Sequence, residues 1–362
     1  MPRKAIVAQA SAAGTGAPGV SLAVREYART KLSELYQMYE YSLETKNLTK
    51  RSIETARQRL GRFFRWLENR VGHVPTLSDF TRDVISEYSH WMQYDKTKWD
   101  DNDNLPTQDV HLSAETVKGY LRNLKAFAHW LHDEGKTTAY TLYKMPMPKV
   151  DEPLIRPLSE EEINRVYAHI KRTTQSGARD YAVVTLLLDC GLRESEVCAL
   201  TVETVHLKTG ILEIPKAKSR RGRDVKMTTR CQGILQQYKD VVRADQLHEY
   251  QPTNAFFVQR NGQPLQAHTI RSAMRQLAIA ADVPRLHAHL LRHTMATRYL
   301  AVGGDSVQLQ QMLGHTTLSM TTKYVHLNDQ AEMMTHRLST LDHIAIPRLN
   351  YKPRKRKEEA EP

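Results

Sequence analysis

Residues 287–326 read HAHLLRHTMATRYLAVGGDSVQLQQMLGHTTLSMTTKYVH, and the rest of the chain is arranged around them. The stretch holds His289, Arg292, His315 and Tyr324. His289 and Arg292 stand at i and i+3, so a helix projects both side chains to one side. His315 and Tyr324 are nine residues apart. On one unbroken helix nine steps turn about 900° and rise about 13.5 Å, which puts the two on opposite faces. They share a site only if the helix breaks, and Gly314 followed by the β-branched Thr316 and Thr317 permits that break. Far upstream, Arg193 follows the Gly191 turn and opens a helix, with Glu196 three residues on. The two face the same way and can pair. A carboxylate in that place fixes the orientation of a guanidinium, which matters if Arg193 presents its fork to a phosphate.

The composition points the same way. The chain has 362 residues, 40% of them hydrophobic, which suggests two globular domains. The formal net charge is +12. An excess of that size favours a polyanionic partner, nucleic acid before others, over an ordinary basic protein. The three cysteines, Cys190, Cys198 and Cys231, have neither metal-ligand spacing nor the even count of a disulfide framework, and a reducing, cytoplasmic location fits. No apolar run approaches the roughly 18 residues of a membrane span, and the N-terminus lacks the apolar core of a signal peptide. No membrane association is expected.

The expected architecture is mainly α with a small β component. Residues 1–20 are Ala/Gly-rich and read as a disordered tail. Residues 21–142 read as an all-helical domain. Leu32, Leu35, Tyr36, Tyr39 and Leu43 mark one amphipathic helix; others cover about 49–71, 78–92 and 114–135. Between the last two lies a long polar loop, DKTKWDDNDNLPTQD. Residues 143–157, with four prolines, form an extended linker. The second domain, 158–345, opens on a capping box at Ser159 and Glu162 and continues into an apolar helix ending at Gly191. GILEIPKAKSRRGRDVKM reads as a β-hairpin around a basic turn, a helix follows over about 229–249, and AFFV is a short buried strand. Helices then dominate to about Leu341. Residues 346–362 are polar and basic and read as a disordered tail.

The motifs resemble those of the tyrosine recombinases of the phage integrase family. GLRESEVCAL carries an arginine with an acidic residue three positions later, His289-Leu-Leu-Arg-His293 follows the family's H-x-L-R-H box, and LGHTTLSMTTKY places a tyrosine nine residues past a histidine. All three occur in order across residues 190–326, with the basic hairpin between the first and the second. The helical region matches the family's core-binding domain only in length and pattern.

The resemblance implies a helical, SAM-like core-binding domain and a mixed α/β catalytic domain, lying on the two sides of a DNA duplex. It implies that Tyr324 attacks the scissile phosphorus and becomes joined to the 3′ phosphate. Arg193 and Arg292 would grip the non-bridging oxygens, His289 would assist proton transfer with the tyrosine, and His315 would donate to the phosphate. A lysine on the hairpin would protonate the departing 5′ oxygen. Lys218, in KSRRGR, matches the family's K-x-x-[KR]-x-R context, with Lys216 as competitor. Glu196 would support Arg193. Arg51, Arg57, Lys118 and Arg122 on the helical domain and Arg220 and Arg221 on the hairpin are candidate DNA contacts. A homotetramer on two double-stranded DNA sites, accessory recombination proteins and a mobile-element role follow from the same resemblance. No cofactor or metal is expected, since no Asp/Glu cluster suggests a metal clamp.

Plainer readings stand beside these. Alone, Tyr324 is more often a core or surface aromatic. His289 and His293 imitate a zinc-binding pair, but HLLRH lacks the glutamate of H-E-x-x-H, and His293 is better read as a structural hydrogen bonder. Two rival functions remain: a type IB topoisomerase-like relaxing activity, and a non-catalytic DNA-binding regulator on the same scaffold.

Overall fold

The three- and four-residue spacing of apolar side chains between Leu32 and Leu131 becomes a helical bundle. Its helices are α1 (Leu32–Thr45), α2 (Lys50–Val71), α3 (Arg82–Tyr94) and α4 (Ala114–Asp133). The computed structural model describes residues 27–98, 108–138, 147–150, 155–215, 222–248, 250–314 and 349–353. The chain divides into two compact units, Met1–Pro153 and Leu154–Pro362.

In the first unit, Thr49 and Ser113 start α2 and α4 by accepting from the amides of Ser52 (3.1 Å) and Thr116 (3.3 Å), donors that the first turn leaves unpaired. Leu35, Leu60, Phe63, Ile85 and Phe127 are sealed in the core. Phe63 meets Tyr88 edge-on at 5.0 Å, a geometry the ring quadrupoles favour. The sequence reading of 95–109 as uninterrupted loop needs correction: β1 (Thr97–Lys98) and β2 (Gln108–His111) pair antiparallel. Ladder bonds join backbone groups whatever the side chains, and strands this short show no alternation for a sequence to display. The residues between them, 99–107, lie outside the described residues.

The second unit starts at the expected capping box. The Ser159 amide donates to Glu162 Oε2 (2.8 Å) and the Glu162 amide to Ser159 Oγ (3.2 Å), opening α5 (Glu160–His169). α6 (Gln175–Cys190) is buried on nearly every face, as its unbroken apolar run requires. It ends at Gly191, φ 60°, whose amide returns to Leu187 O (3.1 Å). The short α7 (Glu194–Ala199) follows. β3 (Val205–His206), β4 (Ile211–Ile214) and β5 (Arg223–Lys226) form one antiparallel sheet in that order, with Leu212 opposite Val225 and Ile214 opposite Arg223. Leu212, Ile214 and Val225 face the core and Glu213 and Asp224 face solvent, the alternation expected of a half-buried hairpin. β3 is an addition to the two expected strands.

The helix expected over 229–249 is α8 (Thr229–Gln237), a π-helical stretch Tyr238–Arg243 and α9 (Ala244–Leu247). Tyr238 and Val242 are both fully buried, and their spacing reads the same in α and π turns, so the pattern does not distinguish them. AFFV is not a ladder strand. Ala255 and Val258 make isolated bridges to Thr201 and Pro264, and Pro264 has no N–H with which to extend the pairing. The remaining helices are α10 (Ala267–Ala280), α11 (Ala288–Ala301) and α12 (Ser306–Leu313). The tail starts later than residue 346. Leu349 and Tyr351 are buried in the second core, with Gln237 Nε2 donating to Leu349 O (3.0 Å) and the Tyr351 hydroxyl to Asp245. Two isolated apolar residues are too few to register as a period. No helix of the described residues is long and apolar enough to cross a membrane.

Gly191 is where the apolar helix hands the chain to Arg193. A Cβ there would sit 2.6 Å from Met295 Cε and 3.0 Å from Leu313 Cδ2, at a backbone angle that side chains avoid. Gly191→Ala is expected to destabilise the second unit by about 2–4 kcal/mol, combining left-handed strain with overpacking. Urea unfolding of the two proteins side by side measures it; an unchanged midpoint would refute the tight fit.

Candidate active site

Three arginines from three separate segments meet at one carboxylate and one helix end. Arg193 is the N-cap of α7. Its amide donates to Glu196 Oε2 and its guanidinium NH1 to Glu196 Oε1, both at 2.8 Å. The i,i+3 pairing read from the sequence is therefore formed, through backbone and side chain together. Arg223, the first residue of β5, grips the same carboxylate with both arms: NH1 to Oε1 and NH2 to Oε2, each 2.9 Å. Arg292, on α11, brings NH1 to within 3.9 Å of Glu196 Oε2.

The second anchor is the C-terminus of α12. The last carbonyls of a helix have no partners within it and carry its partial negative charge. Here Met312 O accepts from Arg223 Nε (2.6 Å), Leu313 O from Arg292 NH2 (2.8 Å) and Gly314 O from Arg193 NH2 (3.4 Å). Arg292 NH1 also donates to Gly191 O (2.5 Å), just past the end of α6. Arg292 is thus 1% exposed and spans two helix termini, a placement that offsets the cost of burying its charge. Gly314 caps α12 in the left-handed conformation, φ 62°. The helix break expected there is present.

Electrostatics follow from this packing. Burial alone would push the Glu196 carboxyl up, but the hydrogen bonds from Arg223 and the Arg193 amide and the charges of both arginines hold it down at about 2. Glu196 is ionised throughout the physiological range. Three guanidiniums against one carboxylate leave a net positive site, suited to an anion. His289, in the first turn of α11, is held below its usual range, first by desolvation and then by the charges of Arg292, His287, His293 and Arg193. It is neutral near pH 7 and able to accept a proton. His293 is buried and its Nε2 lies 2.6 Å from Ile155 O, the structural hydrogen bonder expected. His287 Nδ1 contacts Arg285 O (2.7 Å).

Arg193, Glu196 and Arg292 are brought together, and His289 shares a helix with Arg292. Lys216, Lys218, Arg220, Arg221, His315 and Tyr324 lie outside the described residues. On the first unit Arg51 is exposed and Lys118 partly buried. Arg57 pairs with Glu40 (2.7 Å) and Glu54 (3.2 Å), and Arg122 with Glu115 (3.1 Å). Exposed pairs of this kind are weak and do not bar a phosphate. The sequence reading missed Arg223. Its signal was the last letter of K-x-x-[KR]-x-R, quoted there only to place Lys218.

Among the described residues one further cluster has metal-ligand composition: Asp189, Cys190 and Cys231, all buried. The Asp189 carboxylate is already taken by the Thr228 amide and hydroxyl, both at 2.9 Å. The Cys190 thiol is pushed well up by its hydrogen bond with Cys231 and by burial, so it stays protonated and a poor ligand. The group ties the start of α8 to the end of α6.

Residues 156–331 match the model described as the phage integrase family. The chain is 28% identical over 261 residues to the tyrosine recombinase XerD of Oceanobacillus iheyensis, across 70% of this chain and 87% of that one. It is 29% identical over 300 residues to the tyrosine recombinase XerC 2 of Ralstonia nicotianae, across 81% and 82%. Its fold is similar to that of the Tn1549 transposon integrase in complex with transposon right end DNA, at a TM-score of 0.62 and 20% identity over 83% and 98% of the two chains.

Glu196 has a lowered folded-state pKa, so its ionisation stabilises the fold above the unfolded value near 4.5, and that contribution is lost as pH falls from 4.5 toward 2. The drop corresponds to about 3 kcal/mol. Glu196→Gln is therefore expected to be less stable than the parent at pH 7, with the gap closing below pH 4.5. Denaturant titrations from pH 7 to pH 2.5 check this; a gap that stays constant would contradict the assignment.

Proposed function

This chain belongs to the phage integrase family of tyrosine recombinases, enzymes that break and rejoin DNA strands, and from that premise we propose a site-specific recombinase acting through a covalent 3′-phosphotyrosine at Tyr324. The observation that carries this reading is the convergence of Arg193, Arg223 and Arg292 on Glu196 and on the end of α12, two residues before His315.

The scissile phosphate docks on Arg193 and Arg292, which offset the charge that builds on its non-bridging oxygens during attack. Tyrosine is a poor nucleophile near neutrality, its pKa being about 10. The positive site favours its phenolate, and neutral His289 takes part in moving the tyrosine proton. Tyr324 Oη forms a bond to phosphorus while the bond to the 5′ oxygen breaks. The departing oxygen receives its proton from Lys218, with Lys216 as the alternative donor. His315 donates to the phosphate. The bond to tyrosine conserves the energy of the broken linkage, so a 5′ hydroxyl reverses the step without ATP.

In this proposal the partner is double-stranded DNA, held in part by Arg51, Arg57, Lys118 and Arg122 on the helical unit and by Arg220 and Arg221 on the hairpin. Four protomers act on two sites, with accessory proteins where the sites demand them. The element served is a mobile one. A second reading, favoured by the XerD and XerC names of the relatives, is a recombinase that acts on a fixed chromosomal site. Sequencing the genomic fragments that the protein traps covalently separates the two: paired ends of a transferable element support the first, a single recurring chromosomal locus the second.

A nicked suicide duplex, whose released strand diffuses away, should accumulate a protein–DNA adduct that maps to Tyr324. Tyr324→Phe should bind the duplex within about threefold of the parent and form no adduct, and Arg292→Ala should slow adduct formation by about 10²-fold or more. An adduct that survives Tyr324→Phe would rule out Tyr324 as the nucleophile. Relaxation of supercoiled DNA without any preferred site would favour the topoisomerase-like reading instead.

A further inference from the structure

Arg223 makes contacts that the chemistry above does not use. Its side chain is 12% exposed on β5, beside the hairpin turn. Both arms of its fork are spent on the two oxygens of Glu196 at 2.9 Å, and Nε is spent on Met312 O at 2.6 Å. The same guanidinium lies against the Gly314 cap, where an added Cβ would meet its NH1 at 3.0 Å. One planar group therefore joins the hairpin, the carboxylate that orients Arg193 and the last turn before His315.

We infer that Arg223 is a positioning residue: by holding both oxygens of Glu196 it sets the direction in which Arg193 presents its guanidinium to the phosphate, and it registers the hairpin and the end of α12 to the same point. Glu196 receives Arg193 through the amide and the guanidinium at once. Rotation of the carboxylate would carry the Arg193 side chain with it. The fork of Arg223 removes that rotation, because two parallel bonds define a plane where one bond defines only a line. Lysine cannot substitute. Its single ammonium on a flexible stem does not span two carboxylate oxygens and a backbone carbonyl in one plane. The tie acts on reaction geometry, because the acceptors of Arg223 are the carboxylate that holds Arg193 and the end of α12.

This inference rests on the catalytic reading above, and its test is chosen to fail separately. With the full-length protein and the nicked suicide duplex, Arg223→Ala and Arg223→Lys should bind DNA within about threefold of the parent and form adduct about 10²-fold more slowly, the loss that misplacing a reacting group by about 1 Å brings. The acid limb of the rate–pH profile should move to higher pH in both, because Glu196 loses the hydrogen bonds that hold it down. Arg223→Ala combined with Glu196→Gln should be no slower than the slower single variant, as for two members of one unit. Parental cleavage by Arg223→Lys, or an unmoved acid limb with additive losses, overturns the inference. If the parent itself forms no adduct, it is the catalytic reading that has failed. The carboxyl-carbon resonance of Glu196 and the side-chain nitrogen resonance of Arg193 then decide. Both should shift in Arg223→Lys, and the inference falls if either is unchanged.

Discussion

Three guanidiniums held together repel one another, and the catalytic unit is built around neutralising that repulsion. Two like charges about 4 Å apart cost about 4 kcal/mol at an effective dielectric of 20. Glu196 and the C-terminal carbonyls of α12 together offset that cost. Neither anchor serves alone. The carboxylate supplies a full negative charge at the centre, and the helix end supplies directed acceptors, so each arginine has a fixed angle as well as a favourable field. What remains among the described residues is an excess of positive charge suited to an added anion.

That constraint explains features that otherwise seem unrelated. α6 has to be apolar on nearly every face because α11, which carries Arg292, packs along it, and a buried arginine keeps its place only within a dry, close-packed wall. Gly191 and Gly314 occupy the two turns where helix ends approach the arginines, and both have the positive φ that ends a helix abruptly. Each turn also leaves a carbonyl for a guanidinium: Gly191 O takes Arg292, and Gly314 O takes Arg193. The strand pairing of β4 with β5 delivers Arg223 from the other side.

Much of this was legible in the residues. Helices signalled by three-and-four spacing, capping boxes and terminal glycines are local, because their hydrogen bonds join neighbours in the chain. The Arg193–Glu196 pair was legible for the same reason, as was the break at Gly314. The β1–β2 pairing, the π turn at Tyr238–Arg243, the burial of Leu349 and Tyr351 and the place of Arg223 were not. The π turn keeps the spacing of an α-helix, the others depend on partners distant in sequence, and an arginine two residues past Arg221 in a basic turn looks the same whether it faces solvent or grips a carboxylate.

The residues alone determined which groups are available and which of them share a helical face: Arg193 with Glu196, His289 with Arg292, and a break before His315. They pointed as well toward a polyanionic partner, through a net charge of +12. Tertiary structure decided that Glu196, 27 residues before Arg223 and 96 before Arg292, is the point where all three arginines meet. The reason is physical. Periodicity encodes direction around one helix axis, whereas the distance between two elements is set by how their side chains pack, and that depends on every other element that competes for the same core.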